Sequence, residues 1–212
     1  IRRFKSAMER HGGGARGFMN AASPGLITAF QPNKHYPSHE AYLAALVEAM
    51  RPEYEAIVAA GFDLQLDCPD LAMAAHTGFQ HLSEEEFVKR AWQNVEALNA
   101  ATSNIPREKL RMHICWGNYE GPHHCDIALE KVIDPILAAR PSTILFEAAN
   151  PRHEHEWEIW QAAGLADDKI LAPGLIDSCS NYVEHPELIR QRIERYTAFM
   201  GEDRVVASTD CG

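Results

Sequence analysis

The chain has no apolar run approaching the roughly 20 residues that a membrane-spanning helix needs, and no apolar segment of a secretory signal follows Ile1-Arg2-Arg3-Phe4-Lys5. A cytoplasmic protein with no membrane partner is expected. No run of Lys or Arg interrupts a formal net charge of -10, so the electrostatic footprint of a polyanion-binding surface is missing and nucleic acid is excluded as a partner. Cysteine is sparse: Cys68, Cys115, Cys125, Cys179 and Cys211 make an odd, scattered set. That rules out the dense disulfide framework of a small secreted domain and points to reduced thiols, some of them metal ligands. Repeats, low-complexity tracts and an internal domain boundary are lacking too. An initiator Met is missing and the chain stops directly after an apolar pattern, so the expectation is one catalytic domain over 1–212, cut from a parent longer at both ends.

With 46% hydrophobic residues among 212, a substantial core can be filled. Short apolar runs alternate with longer amphipathic stretches, the pattern of repeated βα units on a parallel sheet. The runs are 17–22, 62–67, 110–115, 143–147, 170–177 and 205–210. Helical spacing covers Ser38 to Ala60, a stretch opened by the capping box at Ser83 and Glu86, Ile127 to Ala139, Glu154 to Ala163, and Glu187 to Met200 behind Pro186. About six strands and five helices predict an α/β fold, a (β/α)8 TIM-type barrel that is incomplete here, because a closed barrel typically takes about 250 residues.

Nearly every proposed strand ends in a polar or reactive residue: Asp67, His113 with Cys115, Glu147, Asp177, and Asp210 with Cys211. Parallel α/β folds place their chemistry at that end. Two-residue periodicity turns His113 and Cys115 to one face, where they can share an ion. Glu147 and Cys211 end other strands and can converge on it, completing a tetrahedral zinc set of imidazole, two thiolates and a carboxylate. Ligands this far apart in sequence differ from the close cysteine pairs of a structural zinc knuckle. They suit an open site in which Zn2+ keeps a substrate thiol ionised near neutral pH.

At these residues the chain resembles the cobalamin-independent methionine synthase family. His113-x-Cys115, Glu147 and Asp210-Cys211-Gly212 stand in the order of that family's zinc motifs, and Asp67-Cys68-Pro69 and Gly174-Leu175-Ile176-Asp177 are similar to its strand-end segments. The likeness runs from about Gly17 to Gly212 and is closest to the short single-barrel relatives, through 113–119 and 180–186. It implies His113, Cys115, Glu147 and Cys211 as zinc ligands, homocysteine as the thiol, and 5-methyltetrahydrofolate, or its polyglutamylated form, as methyl donor, with methionine as product. It also implies that Asp67 holds the substrate ammonium group. Where the long enzymes carry Asp-x-His-Ser, this chain has Asp177-Ser178-Cys179-Ser180, so the proton-donor role falls to Asp177 or to a residue elsewhere. Related barrels apply the same chemistry to other thiols, such as coenzyme M opening an epoxide; a zinc-binding barrel without catalysis is a third reading.

Several residues keep two readings. Asp67 either binds an amine or caps the following turn; Trp116 either stacks on a pterin or packs. Asn150 and Arg152 either reach a substrate or belong to a surface loop. His123-His124-Cys125 reads as a loop after Gly121-Pro122, and His153 and His155 as the solvated first turn of a helix.

Overall fold

The computed structural model describes residues 1–211; Gly212, which closes the Asp210-Cys211-Gly212 pattern, lies outside the described residues. Five strands form one parallel sheet in sequential order: β1 (Phe18–Ala22), β2 (Asp63–Asp67), β3 (Leu110–His113), β4 (Thr143–Phe146) and β5 (Ile170–Pro173). Each crossover is helical, as parallel strands require. The helices are α1 (Arg2–His11), α2 (Pro24–Phe30), α3 (His39–Ala59), α4 (Glu84–Ala101), α5 (Leu129–Ala138), α6 (Trp157–Ala162) and α7 (Pro186–Met200).

The sheet has two different faces, and strand register explains both. Leu64 pairs with Leu110, Leu66 with Met112, Met112 with Ile144, and Ile144 with Leu171. All six of these side chains are buried in the core against the helices, each contributing about 1.5–3 kcal/mol by its removal from water. The alternate positions carry Asn20 beside Gln65, Gln65 beside Arg111, and Asp67 beside His113. That face is polar: the Arg111 guanidinium lies 4.4 Å from the Phe18 ring centroid and its Nε donates to Gln65 Oε1 at 3.1 Å.

Local chemistry fixes the helix starts. Ser83 and Glu86 form the expected capping box, with Glu86 N–H on Ser83 Oγ at 3.2 Å and Ser83 N–H on Glu86 Oε2 at 2.8 Å. Ser38 caps α3, and Ser23 caps α2 by accepting Leu26 N–H at 2.9 Å.

Three expectations are corrected. Residues 205–210 do not form a sixth strand; they meet β5 only through parallel bridges at Leu171–Val205 and Gly174–Ser208. The ladder breaks because Pro173 ends β5 without an N–H to donate. Helices number seven among the described residues rather than five. α1 packs through Phe4, stacked on Phe62 at 4.7 Å, and through Met8, and its ten residues fall short of the window that periodicity needs. α2 is seven residues long and shorter than the window that periodicity needs. The stretch from Glu154 is a 3-10 turn, Glu154–Glu156, leading into a six-residue α6. A parallel α/β sheet with its helices is therefore present, and closure into a full barrel is not shown by these five strands.

Candidate metal centre

The C-terminal ends of β2, β3 and β4, with the segment after β5 that ends at Cys211, meet over the polar face. There the ligand atoms of His113, Cys115 and Cys211 all lie within 4.8 Å of one another, forming the single such metal-capable group among the described residues. His113 ends β3, and its Nδ1 is 2.8 Å from Asp67 Oδ1, the neighbour that the β2–β3 register puts beside it. Its Nε2 is buried and has no hydrogen-bond partner. A carboxylate on one ring nitrogen and an unsatisfied second nitrogen aimed at a pair of sulfurs is the arrangement of a metal-ligating histidine. Cys115 is buried, and its sulfur accepts the N–H of Gly117 at 3.3 Å; Gly117 itself has a positive φ of 108°, a conformation that favours glycine.

Protonation follows from crowding. Burial pulls the His113 imidazole down, but the hydrogen bond with Asp67 and the nearby Cys211 sulfur outweigh this and raise it to about 9. The Cys115 thiol is pushed far up, first by its hydrogen bond with Cys211 and then by burial. Two adjacent sulfurs ionise together only where a cation offsets their charge. The residues therefore fit a thiophilic ion such as zinc, for which imidazole and thiolates are the preferred donors.

Glu147 lies beside this triad. Its Oε1 is 3.9 Å from Cys115 Sγ and accepts Trp116 N–H at 3.0 Å, while Oε2 accepts Asn150 Nδ2 at 2.8 Å and Arg152 Nη2 at 3.1 Å. Asn150 is buried, and its Nδ2 also donates to Asp210 Oδ2 at 2.8 Å, so it orients two carboxylates and has no donor left for a ligand. Trp116 is only 1% exposed, with Nε1 donating to Ile127 O at 2.7 Å. Its packing reading stands, because a ring enclosed in the core has no face to offer a pterin. Asp67 keeps a half-exposed side chain and lines the cavity while it orients His113. Asp177 caps its own loop, accepting Cys179 N–H at 2.9 Å, and lies outside the residues lining the cavity.

A cavity of about 480 Å³ opens over the triad, lined on one side by Asp67, His113, Cys115 and Cys211 and on the other by Leu26, Phe30 and Met73. A second, of about 280 Å³, shares Asn20, Gln65, His113 and Cys211 with it and reaches Arg111. The site is thus a polar floor with an apolar wall, of a size that takes small molecules.

Asp210 is a residue whose importance the sequence hid. It is buried, and its Oδ1 accepts the N–H groups of Ala148 and Ala149, both at 2.8 Å, which ties the segment carrying Cys211 to the end of β4. Its position beside Cys211 was the available signal. Gly174 makes room for it: a Cβ there would sit 2.0 Å from Asp210 Oδ1. His153, expected on a solvated turn, is buried at 3% exposure, because its ring packs at 4.4 Å from Trp116.

No protein-family model matches the chain. It is similar to a methionine synthase of Saccharolobus islandicus, 26% identical over 192 residues, covering 89% of this chain and 49% of the relative. It is also similar to a 2-hydroxypropyl-CoM lyase of Xanthobacter autotrophicus, 22% identical over 212 residues, covering 88% of this chain and 52% of the relative. The chain spans about half the length of the curated relatives it matches. Among solved structures, a B12-independent methionine synthase from Shewanella sp. W3-18-1, in complex with selenomethionine, matches all of this chain and 60% of its own with a TM-score of 0.72 at 18% identity. At that identity the likeness concerns the fold. No helix among the described residues is long and apolar enough to cross a membrane.

Proposed function

We propose that this chain carries the thiol-alkylating site of a zinc-dependent methyltransferase, in which a methyl group passes from 5-methyltetrahydrofolate, or its polyglutamylated form, to homocysteine and yields methionine. The observation that carries the reading is the convergence of His113, Cys115 and Cys211, with Asp67 behind the imidazole. The similarity to proteins named methionine synthase supports it. His113, Cys115 and Cys211 would hold the ion, with Glu147 as the fourth donor. A zinc ion held by them supplies a lowered pKa to the substrate thiol, which would otherwise be mostly protonated near pH 7.

The chain's own residues do the rest. Asp67 fixes the His113 ring and presents its half-exposed carboxylate to the cavity, where a substrate ammonium group can pair with it. Glu147 is held in place by the Trp116 N–H, Asn150 and Arg152, so its approach to Cys115 costs little reorganisation. Transfer breaks the nitrogen–methyl bond and forms the sulfur–methyl bond in line, and the departing nitrogen takes a proton. Asp177 is the candidate donor of that proton within the chain; its loop reaches the site through Ser178, whose Oγ is 3.3 Å from Cys211 N.

A second reading, alkyl transfer to another thiol, is favoured by the similarity to a 2-hydroxypropyl-CoM lyase. Thermal denaturation of the zinc-loaded protein with homocysteine or coenzyme M separates the two, since a specific ligand stabilises the fold by RT ln(1 + [L]/Kd). Protection by homocysteine together with methionine formed from methyltetrahydrofolate is the expected outcome. Protection by coenzyme M alone favours the second reading, and zinc retention with no alkyl product from any donor favours a non-catalytic barrel.

A further inference from the structure

A second group of titratable side chains lies behind the metal centre, and the proposed transfer does not use it. Asp126, in the loop between β3 and α5, is its hub. Its Oδ2 is 2.9 Å from His123 Nδ1 and 3.4 Å from His153 Nε2, and its Oδ1 is 3.4 Å from His76 Nδ1. His153 Nδ1 is in turn 2.9 Å from Glu156 Oε2, and Glu156 Oε1 accepts the N–H of Leu129 at the start of α5. Three strand-end segments meet here, the two 2.9 Å contacts being hydrogen bonds and the two 3.4 Å contacts charge approaches without one: His76 follows β2, His123 and Asp126 follow β3, and His153 follows β4.

The side chains of His123, Asp126, His153 and Glu156 are all less than a tenth exposed. Buried ion pairs of this kind rarely gain stability over apolar packing, because desolvation of each ion costs several kcal/mol. Nor is the cluster a second metal set, since its ligand atoms do not converge as those of His113, Cys115 and Cys211 do. Its connection is to Trp116. That ring lies on His153, its Nε1 donates to the carbonyl of Ile127 next to Asp126, and its backbone N–H holds Glu147 at 3.0 Å. Cys115 is the adjacent residue.

We propose that Asp126 and His153 are positioning residues for the thiol-metal site, clamping the β3–α5 loop so that Trp116 holds Glu147 and Cys115 where His113 and Cys211 can meet them. The proposal rests on the metal-site reading above. Partners of this kind behind a metal ligand typically alter metal affinity about 10–100-fold.

The test compares Asp126→Asn and His153→Gln with Lys169→Met, a control at the opposite end of the sheet where Lys169 Nζ donates to the carbonyls of Ala139 and Pro141. Three readouts are taken: amide exchange at Trp116 in the metal-free protein, zinc affinity by chelator competition, and the absorption spectrum of the cobalt-substituted protein. The first two variants should speed Trp116 exchange, weaken zinc by about 10–100-fold and shift the cobalt bands; the control should lower only thermal stability. Trp116 exchange and zinc affinity no more altered in Asp126→Asn and His153→Gln than in the control would overturn the proposal. Wild-type protein that takes no zinc would defeat the metal-site reading instead, and Trp116 exchange would still decide whether the network positions this loop. If Asp126→Asn does not fold, His76→Gln removes one arm of the network and is read in the same way.

Discussion

Replacing Asp210 by Asn keeps the size of the side chain and removes one acceptor. In the native protein three donors converge on this buried carboxylate: the N–H groups of Ala148 and Ala149 on Oδ1 and Asn150 Nδ2 on Oδ2. An Asn carbonyl can serve the two backbone groups, but its amide then faces the Asn150 amide, donor against donor. A hydrogen bond to a charged group contributes about 1.5–3 kcal/mol, and a buried donor left unsatisfied costs about 1–3 kcal/mol. Burial pushes the Asp210 carboxyl upward, so neutralising it returns part of that loss. The net expectation is a destabilisation of about 1–3 kcal/mol, read from urea unfolding at pH 7.5. Because Cys211 follows directly, zinc affinity should fall as well. A variant within about 0.5 kcal/mol of wild type, with unchanged zinc affinity, would refute the claim that Asp210 holds this segment in place.

Gly174→Ala attacks the same contact from the other side: its Cβ would lie 2.5 Å from Asp210 Cα and 2.7 Å from Asp210 N. Overpacking there should cost about 1–3 kcal/mol or more, and calorimetry showing an unchanged melting temperature would contradict it. Asp67→Asn should weaken zinc about 10–100-fold by loosening the His113 ring, measured by competition with a chromophoric chelator. His153 supplies a pH prediction. Burial lowers its imidazole, but Asp126 and Glu156 outweigh this and raise it to about 9. That stabilisation is complete below the unfolded value of about 6.5 and is lost as pH rises through about 9. Urea titrations between pH 6.5 and 10 should show a loss that His153→Gln lacks, and equal pH slopes in the two proteins would count against it.

Much of this was legible in the sequence because it depends on local periodicity. The five strands fall within the apolar runs, and α3, α4, α5 and α7 match their spacing to within a few residues, since amphipathic stripes and capping side chains are short-range signals. The approach of His113, Cys115 and Cys211 was also readable, because strand-end residues in a parallel sheet share one rim. Trp116 shows the limit of such reading: its place in the sequence is equally compatible with a ligand platform and with the core, and only the His153 ring beneath it decides. Asn150 and Asp210 likewise take their roles from each other across 60 residues, a long-range pairing with no local pattern. α2 was hidden by brevity, and residues 205–210 carry a strand's composition without a strand's continuous ladder.

The proposed chemistry requires that His113, Cys115 and Cys211 bind zinc and leave it open to a substrate thiol. Zinc content and zinc-edge X-ray absorption, before and after addition of homocysteine, test it most directly on wild type and Cys211→Ser. One tightly held zinc per chain, a gain of one sulfur neighbour on adding homocysteine, and weakened binding in the variant are expected. Absence of zinc, or a metal indifferent both to the thiol and to the loss of Cys211, would contradict it.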